Sequence, residues 1–79
     1  MSKPQLPTTG YYRHYKGQYY QVLQIAQHSE TNEYLVIYRC LYGDFSIWAR
    51  PVDMFCENVG LPDGKTVPRF QRIAAHPPV

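Results

Sequence analysis

The residues best suited to acid–base chemistry lie together in one short polar stretch. His28 and Glu30 flank Ser29, so an exposed imidazole with a carboxylate two positions away could serve as a general base. Catalytic groups usually come from separate elements, because support from several directions fixes their geometry. His, Ser, Thr, Asn and Glu are also ordinary residues of a solvated loop. A small hydrolase using His28 and Glu30 is therefore the least favoured function, and we assign no catalytic residue.

The spacing of the relevant residues gives little support to metal or nucleotide chemistry. Cys40 and Cys56 lie far apart and His14, His28 and His76 are scattered, whereas a zinc site needs clustered ligands. The five glycines stand alone, so none builds a phosphate-binding loop at the start of a helix. We expect no metal and no cofactor, and we interpret both cysteines as small buried thiols.

Aromatic rings beside arginines are the best material for a binding function. Twelve of the 79 residues are aromatic, and eight of these are Tyr. Rings next to guanidinium groups stack on nucleobases, hold cations or grip a proline-rich peptide. The same residue types also fill small cores, with phenol groups at the rim. The candidate binding residues are Trp48, Arg50, Arg39, Tyr38, Tyr42, His14 and His28.

The alternation of side chains along strands predicts which candidates face the same way. Between Tyr34 and Tyr42 the even positions share one face, while Arg39 points to the other. Trp48 and Arg50 share a face of the next strand. We therefore predict that the core uses Tyr20, Tyr38, Phe55 and Phe70, and that the surface uses Tyr12, Tyr42 and Trp48.

The pattern of turn residues predicts the elements that position these side chains. Breakers fall at close spacing, and β-branched and aromatic residues lie between them, which is typical of several short strands. Pro51 suits the first position of a helix, and the apolar residues from Val52 to Val59 follow a helical period for one or two turns. The predicted strands are Tyr11 to Tyr15, Tyr19 to Ala26, Tyr34 to Tyr42, Ser46 to Arg50 and Val67 to Ile73. The predicted fold is all-β with one short helical turn: a small, strongly bent sheet or an SH3-like barrel of five to six antiparallel strands.

Length and composition predict a single small domain. A chain of 79 residues holds one domain, and 44% hydrophobic with 18% charged residues excludes the composition of a disordered chain. The N-terminus resembles no signal peptide and no apolar stretch is long enough to span a membrane, so we expect a cytoplasmic protein with reduced thiols. We predict flexible tails at residues 1–9 and 74–79 around a folded domain at residues 10–73.

Five sequence blocks carry a resemblance to a known family. They are Tyr12 to Gly17, Tyr20 to Thr31, Val36 to Gly43, Trp48 to Pro51 with Met54-Phe55, and Asp63 to Lys65 with Val67 to Phe70. In this order and spacing they are similar to the bacterial family called domain of unknown function 1653, over about residues 11–73. The resemblance implies a short bacterial cytoplasmic protein with a compact β-rich fold. It implies no activity, substrate or catalytic residue.

The favoured function is a non-enzymatic binding module that engages a protein or peptide through its Tyr, Trp and Arg surface. The alternative is binding of RNA or single-stranded DNA, in which the same rings stack on bases and arginines contact phosphates. A net charge of +2 allows that alternative without requiring it. We expect a monomer that does not engage a membrane. The arginines available to phosphates would be Arg13, Arg39, Arg50, Arg69 and Arg72.

Overall fold

The computed structural model describes residues 6–75, and strands account for most of this range. The elements in chain order are β1 (Gly10–His14), β2 (Tyr19–Gln27), β3 (Tyr34–Cys40), β4 (Ile47–Pro51), α1 (Val52–Phe55), β5 (Asn58–Gly60), β6 (Thr66–Pro68) and β7 (Phe70–Ala74). The predicted tails lie partly outside the described residues, at 1–5 and 76–79. Ala74, where the second tail was predicted to begin, ends β7.

Five strands form one antiparallel sheet in the order β4-β3-β2-β1-β7, and β5 pairs with β6 in a separate small sheet. Among the described strands none joins β4 to β7, so the sheet is not a closed barrel. The all-β prediction is confirmed in its open form. Register shifts in the pairing of β1 with β7 and in the pairing of β2 with β3 bend the sheet. The rings of Tyr38 on β3 and Phe70 on β7 are 6.1 Å apart, although three strand spacings in a flat sheet span about 14 Å.

The hydrophobic core lies between α1 and one face of this sheet. We call it the inner face, and it carries Tyr12, Tyr20 and Tyr38; the opposite side is the outer face. Phe55 of α1 is 1% exposed, and its ring stacks on Phe70 with centroids 4.3 Å apart. The core prediction for Tyr20, Tyr38, Phe55 and Phe70 is therefore confirmed. The complete buried set is Tyr12, Tyr20, Val22, Val36, Tyr38, Cys40, Val52, Phe55 and Phe70.

Two predictions of exposure are wrong. Tyr12 was predicted at the surface, but it is 5% exposed, its ring meets the edge of Phe55, and its hydroxyl donates to the carbonyl of Thr8 at 2.7 Å. Cys56 was predicted to be buried, but it is exposed. The helix ends at Phe55 after one turn, so Cys56 follows its last residue and leaves the apolar side.

The hairpin of β5 and β6 differs from the predicted helical continuation and single last strand. Val59 matches the helical period of Val52 and Phe55, yet it pairs with Val67 in the small sheet. The predicted strand from Val67 to Ile73 is interrupted at Arg69, whose N–H donates to the carbonyl of Glu57 at 3.0 Å. This bond turns the chain out of β6 and into β7.

Candidate binding groove

An open groove lies on the inner face, where β4 meets the ends of β2 and β3. Its volume is about 300 Å³, and it is lined by Tyr20, Tyr38, Cys40, Tyr42, Trp48 and Arg50. Strand pairing explains the arrangement, because Trp48 lies directly opposite Tyr38 and Arg50 follows two residues later on the same face. The structure thus brings together Tyr38, Tyr42, Trp48 and Arg50, four of the candidate residues.

Trp48 forms the exposed wall of the groove. Its side chain is 57% exposed, in agreement with its predicted surface position. The indole Nε1–H donates to the hydroxyl of Ser46 at 2.7 Å, which holds the ring in one orientation. An exposed large ring held in this way loses little side-chain entropy when a ligand covers it.

Two tyrosines close one end of the groove. The hydroxyls of Tyr20 and Tyr42 are 2.7 Å apart, and their rings meet edge to face with centroids 5.5 Å apart. Burial, and then the hydrogen bond with Tyr42, raise the pKa of Tyr20 well above its usual range. The phenol of Tyr20 is therefore neutral at physiological pH and adds no negative charge to the groove.

Arg50 supplies the charge of the groove. Its guanidinium carbon lies 5.8 Å from the ring centroid of Phe70, a cation–π arrangement that orients the side chain across the inner face. Within residues 6–75 no carboxylate forms an ion pair with Arg50, since the one ion pair found there joins Arg69 to Glu57. Arg50 therefore leaves an uncompensated positive charge beside aromatic rings.

His14 lies close to the groove without lining it. Its ring centroid is 4.9 Å from that of Phe70 and 6.1 Å from that of Tyr20. Burial, and then the positive charges of Arg69, Lys16 and Arg50, lower the pKa of His14. The Nδ1 atom accepts the backbone N–H of Lys16 at 3.1 Å, which assigns the proton of the neutral ring to Nε2.

The lowered pKa of His14 predicts a pH-dependent stability. The pKa of a histidine in the unfolded chain is about 6.5. The free energy of unfolding should therefore be at its full value above about pH 6.5 and fall as the pH drops towards the folded-state pKa. Denaturant titrations at several pH values would measure this fall. His14→Asn keeps a hydrogen-bond acceptor for Lys16 but cannot titrate, so the variant should show a smaller fall; an equal fall in both proteins would contradict the assignment.

Arg39 and His28 lie away from the groove. Arg39 pairs with Gln21 and Ile47 on the outer face, and its Nε is buried with no hydrogen-bond partner among the described residues. His28 follows the far end of β2, about 26 Å along the chain from Tyr20 at the usual rise per residue of a strand.

The side chain of His28 has a structural role in its loop. Its Nδ1 accepts the backbone N–H groups of Glu30 at 3.1 Å and Thr31 at 3.3 Å. These bonds brace the turn between β2 and β3, and the carboxylate of Glu30 makes no hydrogen bond to the imidazole. The arrangement gives no support to the hydrolase alternative.

Phe45 is an exposed ring that the sequence prediction did not single out. It lies in the turn between β3 and β4 with φ 55°, in the left-handed region, and is 55% exposed. Its N–H donates to the carbonyl of Tyr42 at 3.1 Å, so the turn that positions Tyr42 also imposes this conformation. A left-handed conformation destabilises a bulky L-residue by about 1–2 kcal/mol.

Phe45→Gly should relieve that strain. We expect the glycine variant to be more stable than Phe45→Ala by about 1 kcal/mol, because both lose the ring while only glycine adopts the left-handed region freely. Urea denaturation of the two variants measures the difference. A glycine variant less stable than the alanine variant would show that Phe45 is not strained.

The groove includes Tyr20 and Cys40, which the sequence prediction did not assign to a site. Cys40 shares its strand face with Tyr38, so alternation along β3 carried the signal for it. Tyr20 lies opposite Cys40 through the pairing of β2 with β3, a register that the sequence alone did not show. Both residues are core and groove lining at once.

Residues 6–75 contain no group of three or more His, Cys, Asp or Glu side chains that could hold a metal ion. No helix within this range is long and apolar enough to cross a membrane.

Comparison with known proteins places this fold in a family. Residues 10–72 match the family model described as protein of unknown function (DUF1653). A crystal structure of a DUF1653 protein from Bordetella bronchiseptica is 34% identical to this chain, covers 91% of it and 94% of its own chain, and superimposes with a TM-score of 0.80. No curated protein matches the chain. The match over most of the folded body, together with the shared fold, shows that the chain belongs to the DUF1653 family.

Proposed function

We propose that this domain is a non-enzymatic binding module that takes a segment of a protein or peptide into the groove. The observation that carries the proposal is Trp48, a large ring that is 57% exposed yet held in place, beside the uncompensated charge of Arg50. Trp, Tyr and Arg are the residues that most often dominate the binding energy of protein interfaces. A rigid groove also reduces the entropic penalty of binding.

The state of three other arginines favours a peptide over a nucleic acid. Arg69 donates two hydrogen bonds to Glu57, and Arg72 donates two to the carbonyl of Thr9. Arg39 lies on the outer face with its Nε buried. A strand of RNA or DNA needs a track of cationic side chains along its phosphates, and Arg39, Arg69 and Arg72 do not supply one beside the groove.

Selection from a phage-displayed library of random peptides tests the proposal. Trp48 is the single tryptophan, so its fluorescence should change when a selected peptide binds, and the affinity should vary little between about 50 and 200 mM salt. A poly-uridine oligonucleotide serves as the competing probe. Failure to select any peptide, or tighter binding of the oligonucleotide with a steep loss in salt, would overturn the proposal in favour of no ligand or of nucleic acid.

A further inference from the structure

The side of β4 that faces away from β3 is an open edge of the sheet, next to the groove. Ile47, Trp48 and Ala49 are all exposed, and no strand within residues 6–75 pairs with β4 on the side away from β3. The pairing of β4 with β3 runs without a register shift, so this edge is regular. A regular, apolar and unpaired edge is the kind of template to which another strand adds.

The register shows which backbone groups the edge presents. The N–H of Cys40 donates to the carbonyl of Ser46 at 3.0 Å, and Trp48 lies opposite Tyr38. Because hydrogen-bonded pairs alternate in an antiparallel ladder, the N–H and C=O of Trp48 point to β3. The backbone N–H and C=O groups of Ile47 and Ala49 therefore point away from β3 and are free to pair with an added strand.

The other edge of the sheet, β7, is better protected against strand addition than β4 is. β7 pairs with β1 through a register shift, and its residue Arg72 reaches back to the carbonyl of Thr9. Bulges and charged residues are the usual means of blocking addition at an edge. On β4, Pro51 limits the open stretch at one end, because an N–H at this position would point away from β3 and proline has none. The available edge is thus Ile47 to Ala49, directly beside Trp48.

We propose that the bound peptide docks by adding a strand to the open edge of β4; this inference rests on the proposed function of the groove. The residue opposite Trp48 and the one opposite Arg50 would both face the groove, since alternate residues of a strand share a face. Charge complementarity selects the occupant: Arg50 has no carboxylate partner in the described chain. The ligand is therefore an extended segment with an acidic residue and an apolar or aromatic residue two positions apart.

Two variants at one position test the docking mode with a peptide selected from the library. Ala49→Pro removes an N–H that points away from β3, so it breaks no bond to β3. Ala49→Val keeps that N–H. We expect the proline variant to bind the peptide about tenfold more weakly than the valine variant. Thermal unfolding of both variants shows whether the proline variant folds.

Methylation of the peptide backbone provides a test that does not alter the protein. A series of peptides, each methylated at one backbone nitrogen, should lose affinity at alternate positions, because only every second N–H of an added strand faces β4. Replacing the peptide's acidic residue by its amide should weaken binding to the wild type more than to Arg50→Gln. Binding that depends on Trp48 but tolerates methylation at every position would overturn strand addition and leave the proposed function standing. Selected peptides that bind without Trp48 would overturn the proposed function itself.

Discussion

Trp48→Ala is expected to weaken binding of a selected peptide by about thirtyfold or more while leaving the free energy of unfolding within about 1 kcal/mol of the wild-type value. The indole is 57% exposed and its one hydrogen bond is to Ser46, so the core loses almost nothing when the ring is removed. A ligand in the groove would lose its largest contact. Calorimetric titration gives the affinity, and urea denaturation gives the stability.

Two further variants make the Trp48 result interpretable. Trp48→Phe keeps a ring without the indole N–H and should bind with intermediate affinity. Ile73→Ala removes a comparably exposed apolar side chain from β7, away from the groove, and should bind as the wild type does. Equal affinity of the wild type and Trp48→Ala would show that the groove is not the binding site. A loss of stability above about 2 kcal/mol would show that Trp48 supports the fold instead.

Phe55→Ala is expected to unfold much of the population. Phe55 is 1% exposed, stacks on Phe70 at 4.3 Å and lies 5.4 Å from the ring of Tyr12. Truncation of a buried Phe destabilises by about 3–5 kcal/mol, whereas a domain of this size has a total stability of only about 4–10 kcal/mol. Circular dichroism with thermal melting would measure the loss.

Phe55→Leu is the matched control for this prediction. Leucine keeps most of the apolar volume and loses the ring stack with Phe70, so it should destabilise by less than half as much as alanine. If Phe55→Ala melted within a few degrees of the wild type, α1 would not be the element that seals the inner face. The core would then depend on a residue other than Phe55.

Local sequence pattern was sufficient to predict which residues share a strand face. Trp48 and Arg50 lie on one face of β4, and Arg39 points to the face of the sheet away from Tyr38, because alternation along a strand is independent of the rest of the fold. Alternation does not say which face the remaining structure covers. Tyr12 was misplaced for this reason: it was predicted at the surface, but Phe55 of α1 packs against its ring and it is buried.

Features that depend on pairing between strands far apart in the chain could not be predicted from the sequence. The period from Val52 to Val59 continues past Phe55, but pairing with β6 draws Val59 into a strand. Whether the sheet closes depends on how far apart β4 and β7 lie after bending, a distance that no local pattern encodes. The position of His28 follows from the length of β2, and its ring braces a loop that the sequence could only describe as polar.

The most direct test of the groove is the indole N–H resonance of Trp48, which is unique because the chain has a single tryptophan. Nitrogen-labelled protein titrated with a selected peptide should show a large shift of this resonance. Backbone signals of Tyr38, Tyr42 and Arg50 should move with it at the same peptide concentrations, while those of the loop at His28 stay fixed. Saturable binding that moves signals of the outer face or of the β5–β6 hairpin, and leaves the Trp48 indole unchanged, would contradict the assignment of the groove.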